Sequence, residues 1–187
     1  MPVATVTLRR VPPDAASISP LLAIMEECGA RMAAELGLWH WVPPITLPEL
    51  LAAAAERDVW ALVSPASPAA AAGGEVVGAV ITGPSSPAPY VSSSMFADPA
   101  APALYISKLA VRPALQGGGL GRAALAALEA LARERGLASL RLDALRAVPN
   151  LPRLYARAGF AVVATARASD AHGDVHELDI WERVLSL

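Results

Sequence analysis

The chain has 187 residues, of which 15 are Lys or Arg and 17 are Asp or Glu, giving a formal net charge of −2. This length suits one domain with a sizeable core, and the scattered basic residues exclude the charge pattern of a nucleic-acid-binding surface. Alanine supplies much of the 55% hydrophobic fraction, and the apolar runs are too short for a membrane-spanning helix. We therefore expect neither nucleic acid nor a membrane as a partner.

The N-terminal residues and the cysteine content indicate the cellular compartment of the protein. Residues 1–11 lack the basic and apolar regions of a signal peptide and alternate like a strand. Cys28 is the single cysteine, so it cannot form an internal disulfide, and its place in an apolar helical segment predicts a buried thiol. We expect a reducing, cytoplasmic setting.

The apolar periodicity predicts an alternation of strands and helices. In chain order we expect a strand over 3–11, helices over 17–38 and 46–57, strands over 59–63, 75–83 and 104–111, a helix over about 120–135, a strand over 139–145, a short helix over about 151–158, and strands over 160–168 and 175–185. Thr46 and Glu49 have the spacing of a capping box. The order β-α-α-β-β-β-α-β-α-β-β indicates an α/β (α+β) fold with a mixed sheet, as one domain over residues 1–187.

Two segments of low complexity separate these elements. Residues 64–74 are rich in Pro, Ala and Gly and predict a mobile hairpin loop. Residues 84–102 are rich in Pro and Ser, and a loop of this length inside a compact domain is typical of a functional lid or a disordered segment.

A glycine-rich turn follows the strand over 104–111. Four glycines, Gly117, Gly118, Gly119 and Gly121, lie within five residues at the mouth of a predicted helix. The first N–H groups of a helix have no partner inside it and lie at the positive end of its dipole, so glycines there leave bare donors for an anion. The turn therefore predicts a phosphate site, and close packing of a tight turn is the alternative.

Two general phosphate-binding patterns compete for this turn. The Walker A pattern fails, because Arg and Ala follow the last glycine where Lys and Ser or Thr are required. The dinucleotide pattern is met by Gly119, Gly121 and Ala124, with Asp143 downstream. That pattern should follow its strand directly, but here five residues separate the strand from the first glycine of the turn. An NAD(P)-binding oxidoreductase is thus a weaker alternative.

The segment LAVRPALQGGGLGRAAL (109–125) resembles motif A of the GNAT superfamily, the acyl-CoA-dependent N-acetyltransferases. Its pattern Q/R-x-x-G-x-G/A is met by residues 116–121. A second segment, NLPRLYARAGF (150–160), resembles the Asn…Leu-Tyr-x-x-x-Gly-Phe segment of the same family. The predicted order of elements is also similar, so the resemblance covers nearly the whole chain.

This resemblance implies acetyl-CoA as the co-substrate. The pantetheine arm would pair with backbone groups of the strand before the motif, which are those of Leu109, Ala110 and Val111. The pyrophosphate would lie on the turn, which comprises Gln116, Gly117, Gly118, Gly119, Leu120, Gly121 and Arg122. Asn150 stands two residues beyond the usual position of the family's asparagine, so it either contacts CoA or caps a helix.

The resemblance also implies catalytic roles. Tyr155 aligns with the general acid that protonates the departing CoA thiolate, the alternative being a core tyrosine. The glutamate that many relatives carry in the strand before motif A is missing from residues 104–107. Asp143, His40 and an ordered water are therefore the candidate bases, and Asp98 in the long loop is a weaker one.

The acceptor site is implied between the first two predicted helices. Trp39, His40 and Trp41 lie there and could form an aromatic wall for an amine, with ordinary packing of a helix end as the alternative. Asp143 is included as a further candidate substrate contact.

The implied reaction is transfer of an acetyl group from acetyl-CoA to the primary amine of a small molecule by direct attack. A non-catalytic acyl-CoA-binding module of the same fold is the alternative. His172 and His176 are not spaced with other ligands, so we predict no metal site. We expect a monomer or a homodimer.

Overall fold

The computed structural model describes residues 4–39, 41–42, 44–65 and 74–186. Its strands are β1 (Thr7–Arg10), β2 (Asp58–Ser64), β3 (Glu75–Gly83), β4 (Ala103–Val111), β5 (Ser139–Leu145), β6 (Ala161–Ser169) and β7 (Val175–Val184). Its helices are α1 (Ala15–Leu36), α2 (Leu47–Glu56), α3 (Leu120–Glu134) and α4 (Leu151–Arg157). The mixed α/β class and the predicted order of elements are confirmed. His40 and most of the predicted hairpin loop over 64–74 lie outside the described residues.

The strands hydrogen-bond in the order β1-β2-β3-β4-β5-β7-β6. β4 and β5 run parallel, whereas β1–β2, β2–β3, β5–β7 and β6–β7 are antiparallel pairs. The chain packs as two compact units, one of Met1–Thr82 with Lys108–Leu128 and the other of Gly83–Ser107 with Glu129–Leu187. The polypeptide passes between the units at the end of β3, within β4 and within α3.

The first unit packs α1 and α2 against its strands. α1 contributes Ile18, Leu21, Ile24 and Met25 to this core, and α2 contributes Leu50. These positions recur at helical spacing, so each helix turns one apolar face towards the sheet. The predicted capping box is confirmed at the start of α2, where the Thr46 side chain accepts from the backbone of Glu49 and the Glu49 carboxylate accepts from the Thr46 N–H.

A buried ion pair in the second unit anchors the long segment over 84–102. Arg141 on β5 and Glu182 on β7 are 6% and 4% exposed, and Arg141 Nε lies 2.8 Å from Glu182 Oε1. Arg141 also donates to the carbonyl of Asp98 at 2.6 Å, and Glu182 Oε2 accepts from the N–H of Ala97 at 3.0 Å. These bonds fasten the long segment over 84–102, which is therefore an ordered part of this unit rather than a disordered loop.

Candidate functional site

The glycine turn lies at the surface of the first unit, directly before α3. Gly117 and Gly119 have φ values of 86° and 84°, in the left-handed region where a side chain is strained. A Cβ on Gly117 would meet no heavy atom within 4 Å, and one on Gly119 would meet only the Cβ of Ala4, at 3.6 Å. These two glycines are therefore required by backbone conformation, and the close-packing alternative is wrong for them.

The start of α3 offers unpaired backbone donors. The helix accepts its first bond at Gly119, whose carbonyl lies 3.0 Å from the N–H of Ala123. The N–H groups of Leu120, Gly121 and Arg122 precede that bond, so they have no partner within the helix. The Arg122 side chain is exposed, and the first turn carries no acidic residue. The turn thus fits an anion such as a phosphate, since bare donors, dipole and guanidinium act in the same direction.

Gln116 braces this turn rather than pointing away from the protein. Its side-chain nitrogen donates to the carbonyl of Val111 at 2.9 Å, and its side-chain oxygen accepts from Arg31 at 3.2 Å. Arg31 also donates to the carbonyl of Pro113 at 3.0 Å. The side chain of Gln116 therefore ties the turn to the end of β4 and to α1, which leaves its backbone as the part available to a ligand.

β4 changes its pairing just before the turn. Its register with β5 runs from Ala103↔Ser139 to Ile106↔Leu142. Lys108, two residues beyond Ile106, has a φ of 52°. A non-glycine residue in this region marks a local break in the strand, and backbone groups beyond such a break can pair with an added strand-like ligand. The predicted pantetheine contacts, Leu109 to Val111, follow this break.

Cys28 supports the end of β4 from α1. Its thiol is buried and donates to the carbonyl of Val111 at 3.3 Å. Burial raises the pKa of Cys28 to about 11, so the thiol stays protonated near neutral pH. The predicted buried thiol is confirmed.

A cavity of about 430 Å³ lies in the first unit, between α1, the start of α2 and β4. The side chains that line it are Met25, Trp41, Pro44, Ile45, Thr46, Glu49 and Lys108. Trp41 also packs against the core of this unit, whereas Trp39 is 44% exposed and is not part of the lining. The structure therefore separates the two predicted tryptophans, and His40 lies outside the described residues.

Tyr155 lies on α4, in the core of the second unit. It is 6% exposed, and its ring packs against Phe160 and Trp181, with centroids 6.0 and 5.6 Å away. Burial, assisted by the negative charge of Asp143, raises the pKa of Tyr155 above the ordinary value of about 10. The phenol therefore keeps its proton at neutral pH, as a proton donor must. The residue is a core tyrosine, and burial makes its phenol a weaker acid than an exposed one.

Asp143 is bound on both of its carboxylate oxygens. Tyr105 donates to Oδ1 and Tyr90 donates to Oδ2, each at 2.7 Å. Burial, followed by the charge of Asp143, raises the pKa of both tyrosines, so both hydroxyls remain donors. The sequence analysis missed these tyrosines, since Tyr90 lies 53 residues and Tyr105 lies 38 residues from Asp143 along the chain.

Asn150 occupies the N-cap position of α4 without capping it through its side chain. Its carbonyl accepts from the N–H of Leu154 at 3.0 Å, but its side chain makes no cap hydrogen bond.

Lys108, like Tyr90 and Tyr105, was not predicted as a site residue. The signal was available, since Lys108 is the only lysine of the chain and interrupts an apolar strand directly before the motif.

The fold and the glycine turn are typical of an acyltransferase. The sequence matches the acetyltransferase (GNAT) family over residues 36–160, more than half of the chain, and the chain belongs to that family. It is thus an acyltransferase, and the match does not support the NAD(P)-binding alternative. No curated protein sequence matches the chain at a significant level.

Solved structures share this fold. A GNAT-family acetyltransferase from Listeria monocytogenes has a TM-score of 0.66 and 18% identity, covering 96% of this chain and 95% of the other. The ribosomal-protein-S18-alanine N-acetyltransferase of Escherichia coli has a TM-score of 0.65 and 17% identity, covering 98% and 96%. A phosphinothricin acetyltransferase from Sinorhizobium meliloti, solved with acetyl-CoA, has a TM-score of 0.64 and 18% identity, covering 97% and 89%. At these identities the likeness shows the fold.

Among the described residues, no group of three or more His, Cys, Asp or Glu side chains is placed to hold a metal ion. Across the same residues, every helix is too short or too polar to cross a membrane.

Proposed function

We propose that this acetyltransferase moves the acetyl group of acetyl-CoA to the primary amine of a small molecule by direct attack. The observation that carries the proposal is the exposed turn before α3, where Gly117 and Gly119 adopt left-handed backbone conformations and the first N–H groups of the helix have no intrahelical partner. Such a turn is suited to a pyrophosphate, which is the charged centre of CoA.

In this proposal the pyrophosphate and the pantetheine arm of CoA each have their own contacts in the first unit. The pyrophosphate lies on the N–H groups of residues 117–122, where each contact at the helix terminus contributes roughly 0.3–1 kcal/mol. The pantetheine arm pairs with backbone groups of Leu109, Ala110 and Val111 beyond the break at Lys108. The Asn150 amide is a further contact to CoA, because its side chain is not used to cap α4.

The cavity beside α2 supports a small acceptor. Its volume of about 430 Å³ is within the range of small-molecule sites, about 300–1,000 Å³. Neighbouring structures are named for phosphinothricin and for an alanine of ribosomal protein S18, so names alone do not choose between a small molecule and a protein. The largely apolar lining around Trp41 favours the small molecule.

Proton transfer is assigned to the second unit. Tyr155 donates a proton to the departing thiolate, and because burial raises its pKa and weakens it as an acid, the transfer relies on a direct hydrogen bond to the sulfur. The attacking amine must lose a proton, and Asp143, His40 and an ordered water remain the candidates for accepting it. Asp143 already accepts from two tyrosines, which favours a positioning role for it. We also infer a cytoplasmic monomer or homodimer.

Ligand-dependent melting and CoA release test this proposal together. Acetyl-CoA at a hundred times its Kd stabilises a protein by about 2.7 kcal/mol, which for this length raises the Tm by about 5–10 °C. NADPH at the same concentration should not raise the Tm. A panel of amines should then release CoA thiol from acetyl-CoA. Equal shifts with both nucleotides would refute the proposal, and a shift without CoA release from any amine would favour the non-catalytic binding module.

A further inference from the structure

Lys108 combines two unusual properties. It is the only lysine among 187 residues, and it is the single non-glycine residue with positive φ in the described part of the chain. A long side chain at a φ of 52° is disfavoured, since glycine and asparagine fit that region best. Strained residues of this kind cluster at functional sites, which makes Lys108 a candidate functional residue.

The ammonium of Lys108 faces the cavity described above. Its Nζ lies 5.2 Å from the centroid of the Trp41 ring, so the cation rests on an aromatic face. Met25 and Ile45 add apolar surface to the same cavity. Lys108 is half-buried, and a charge in partly buried surroundings interacts more strongly with an ionic ligand than an exposed one would.

The opposite charge in this cavity comes from Glu49. Its Oε2 accepts from the N–H and the hydroxyl of Thr46, at 2.8 and 2.7 Å, so the capping box holds the carboxylate in place. Glu49 is exposed and Lys108 is the less exposed of the two, and both side chains line the cavity. The cavity thus presents one cation, one anion and an apolar wall.

We propose that the amine acceptor carries an acidic group on an apolar body, as amino acids do, and that Lys108 binds this acidic group while Trp41 packs against the body. The inference rests on the proposed function and narrows it to a class of acceptor. Glu49 attracts the acceptor's ammonium as it approaches. A purely cationic amine is disfavoured, because it has no acidic group to pair with the positive charge of Lys108.

Matched acceptors test the role of charge. L-leucine, L-methionine and L-phenylalanine are compared with their carboxamides, which lack only the anionic group. Wild-type kcat/KM, measured by CoA release and expressed per concentration of neutral amine, should be at least tenfold higher for the acids. Lys108→Met should lower kcat/KM by about 10-fold to 100-fold for the acids, as expected for a lost hydrogen bond between charged groups, and by less than threefold for the amides. Comparing variants cancels the difference in amine pKa between acid and amide.

Further variants separate charge from folding. Lys108→Arg keeps the charge and should preserve the preference for acids. Lys108→Gly removes the charge while relieving the left-handed strain, so it should lose the preference with an unchanged or higher Tm. Arg9→Met removes an exposed positive charge on β1 and should leave both acceptor series unaffected. Calorimetry should show the acids binding wild type in the presence of CoA and binding Lys108→Met at least tenfold more weakly.

The outcomes distinguish this inference from the proposed function. A wild-type enzyme that prefers the amides, or equal losses for acids and amides in Lys108→Met, would overturn the acidic-acceptor assignment while leaving acetyl transfer in place. A wild-type protein that neither binds acetyl-CoA nor releases CoA with any amine would overturn the proposed function itself.

Discussion

Removing one partner of the buried ion pair between Arg141 and Glu182 should strongly destabilise the second unit. Both side chains are less than 7% exposed, and their charges lie 2.8 Å apart. The pair also holds the segment over 84–102 in place. Arg141 donates to the carbonyl of Asp98, and its guanidinium lies 4.2 Å from the centroid of the Phe96 ring. Glu182→Leu would leave the Arg141 charge buried without its counterion.

The expected magnitude follows from that burial. Breaking a buried pair by removing one partner costs about 3–5 kcal/mol, because the remaining charge is uncompensated. For a chain of this length that loss lowers the Tm by about 6–20 °C. The double variant Arg141→Met with Glu182→Leu has no orphan charge and should be more stable than Glu182→Leu alone, although the Asp98 carbonyl and the Ala97 N–H lose their partners at about 1–3 kcal/mol each.

Urea and thermal denaturation followed by circular dichroism measure these differences. Glu35→Gln serves as the control, because it breaks the exposed pair with Arg31, whose side chains are 56% and 39% exposed, and should cost less than about 1 kcal/mol. A Glu182→Leu variant as stable as the control would refute the reasoning. So would a double variant that is less stable than Glu182→Leu.

Three further changes have definite expected results. Tyr155→Phe should lower kcat by roughly 10²–10⁴-fold with little change in KM for acetyl-CoA, and steady-state kinetics giving a kcat within threefold of wild type would exclude an essential acid. Gly78→Ala places a Cβ 2.3 Å from the carbonyl oxygen of Ala110, so β3 or β4 must shift. Thermal denaturation should show a loss of stability of about 1–3 kcal/mol. An unchanged Tm would contradict the close approach. The hydrogen bond from His176 holds the pKa of Asp170 below its usual value, so its stabilising contribution is full above pH about 4 and is lost as pH falls through the lowered value. In Asp170→Asn the free energy of unfolding should therefore fall less steeply as the pH is lowered below about 4. An unchanged dependence on pH would show that the bond is not linked to stability.

Local sequence patterns predicted the order of elements because each helix and strand has an apolar periodicity of its own. The limits of β1 were less predictable. The expected strand over 3–11 is shorter in the structure, Thr7–Arg10, because its length is set by pairing with residues 60–63 of β2. The glycine turn was found for the same local reason as the helices, since its signal lies in consecutive residues.

The contacts that shape the remaining site are distant in sequence. Arg141 and Glu182 lie 41 residues apart, so nothing local to either indicated a buried pair. Asp143 was singled out as a possible base, but its two tyrosine partners come from other parts of the chain. Lys108 was overlooked because the general preference for arginine made a lone lysine look incidental, and no local sequence pattern indicates its left-handed backbone.

The central claim is that the turn before α3 binds the pyrophosphate of acetyl-CoA. Gly119→Glu and Gly119→Gln test it directly, because both variants carry the same strain at a φ of 84° and nearly the same volume, and they differ in charge. Isothermal titration calorimetry with acetyl-CoA should show at least tenfold weaker binding to Gly119→Glu than to Gly119→Gln, since the added carboxylate lies at the phosphate position and repels it. Equal affinities in two folded variants would contradict the assignment and place the phosphates elsewhere.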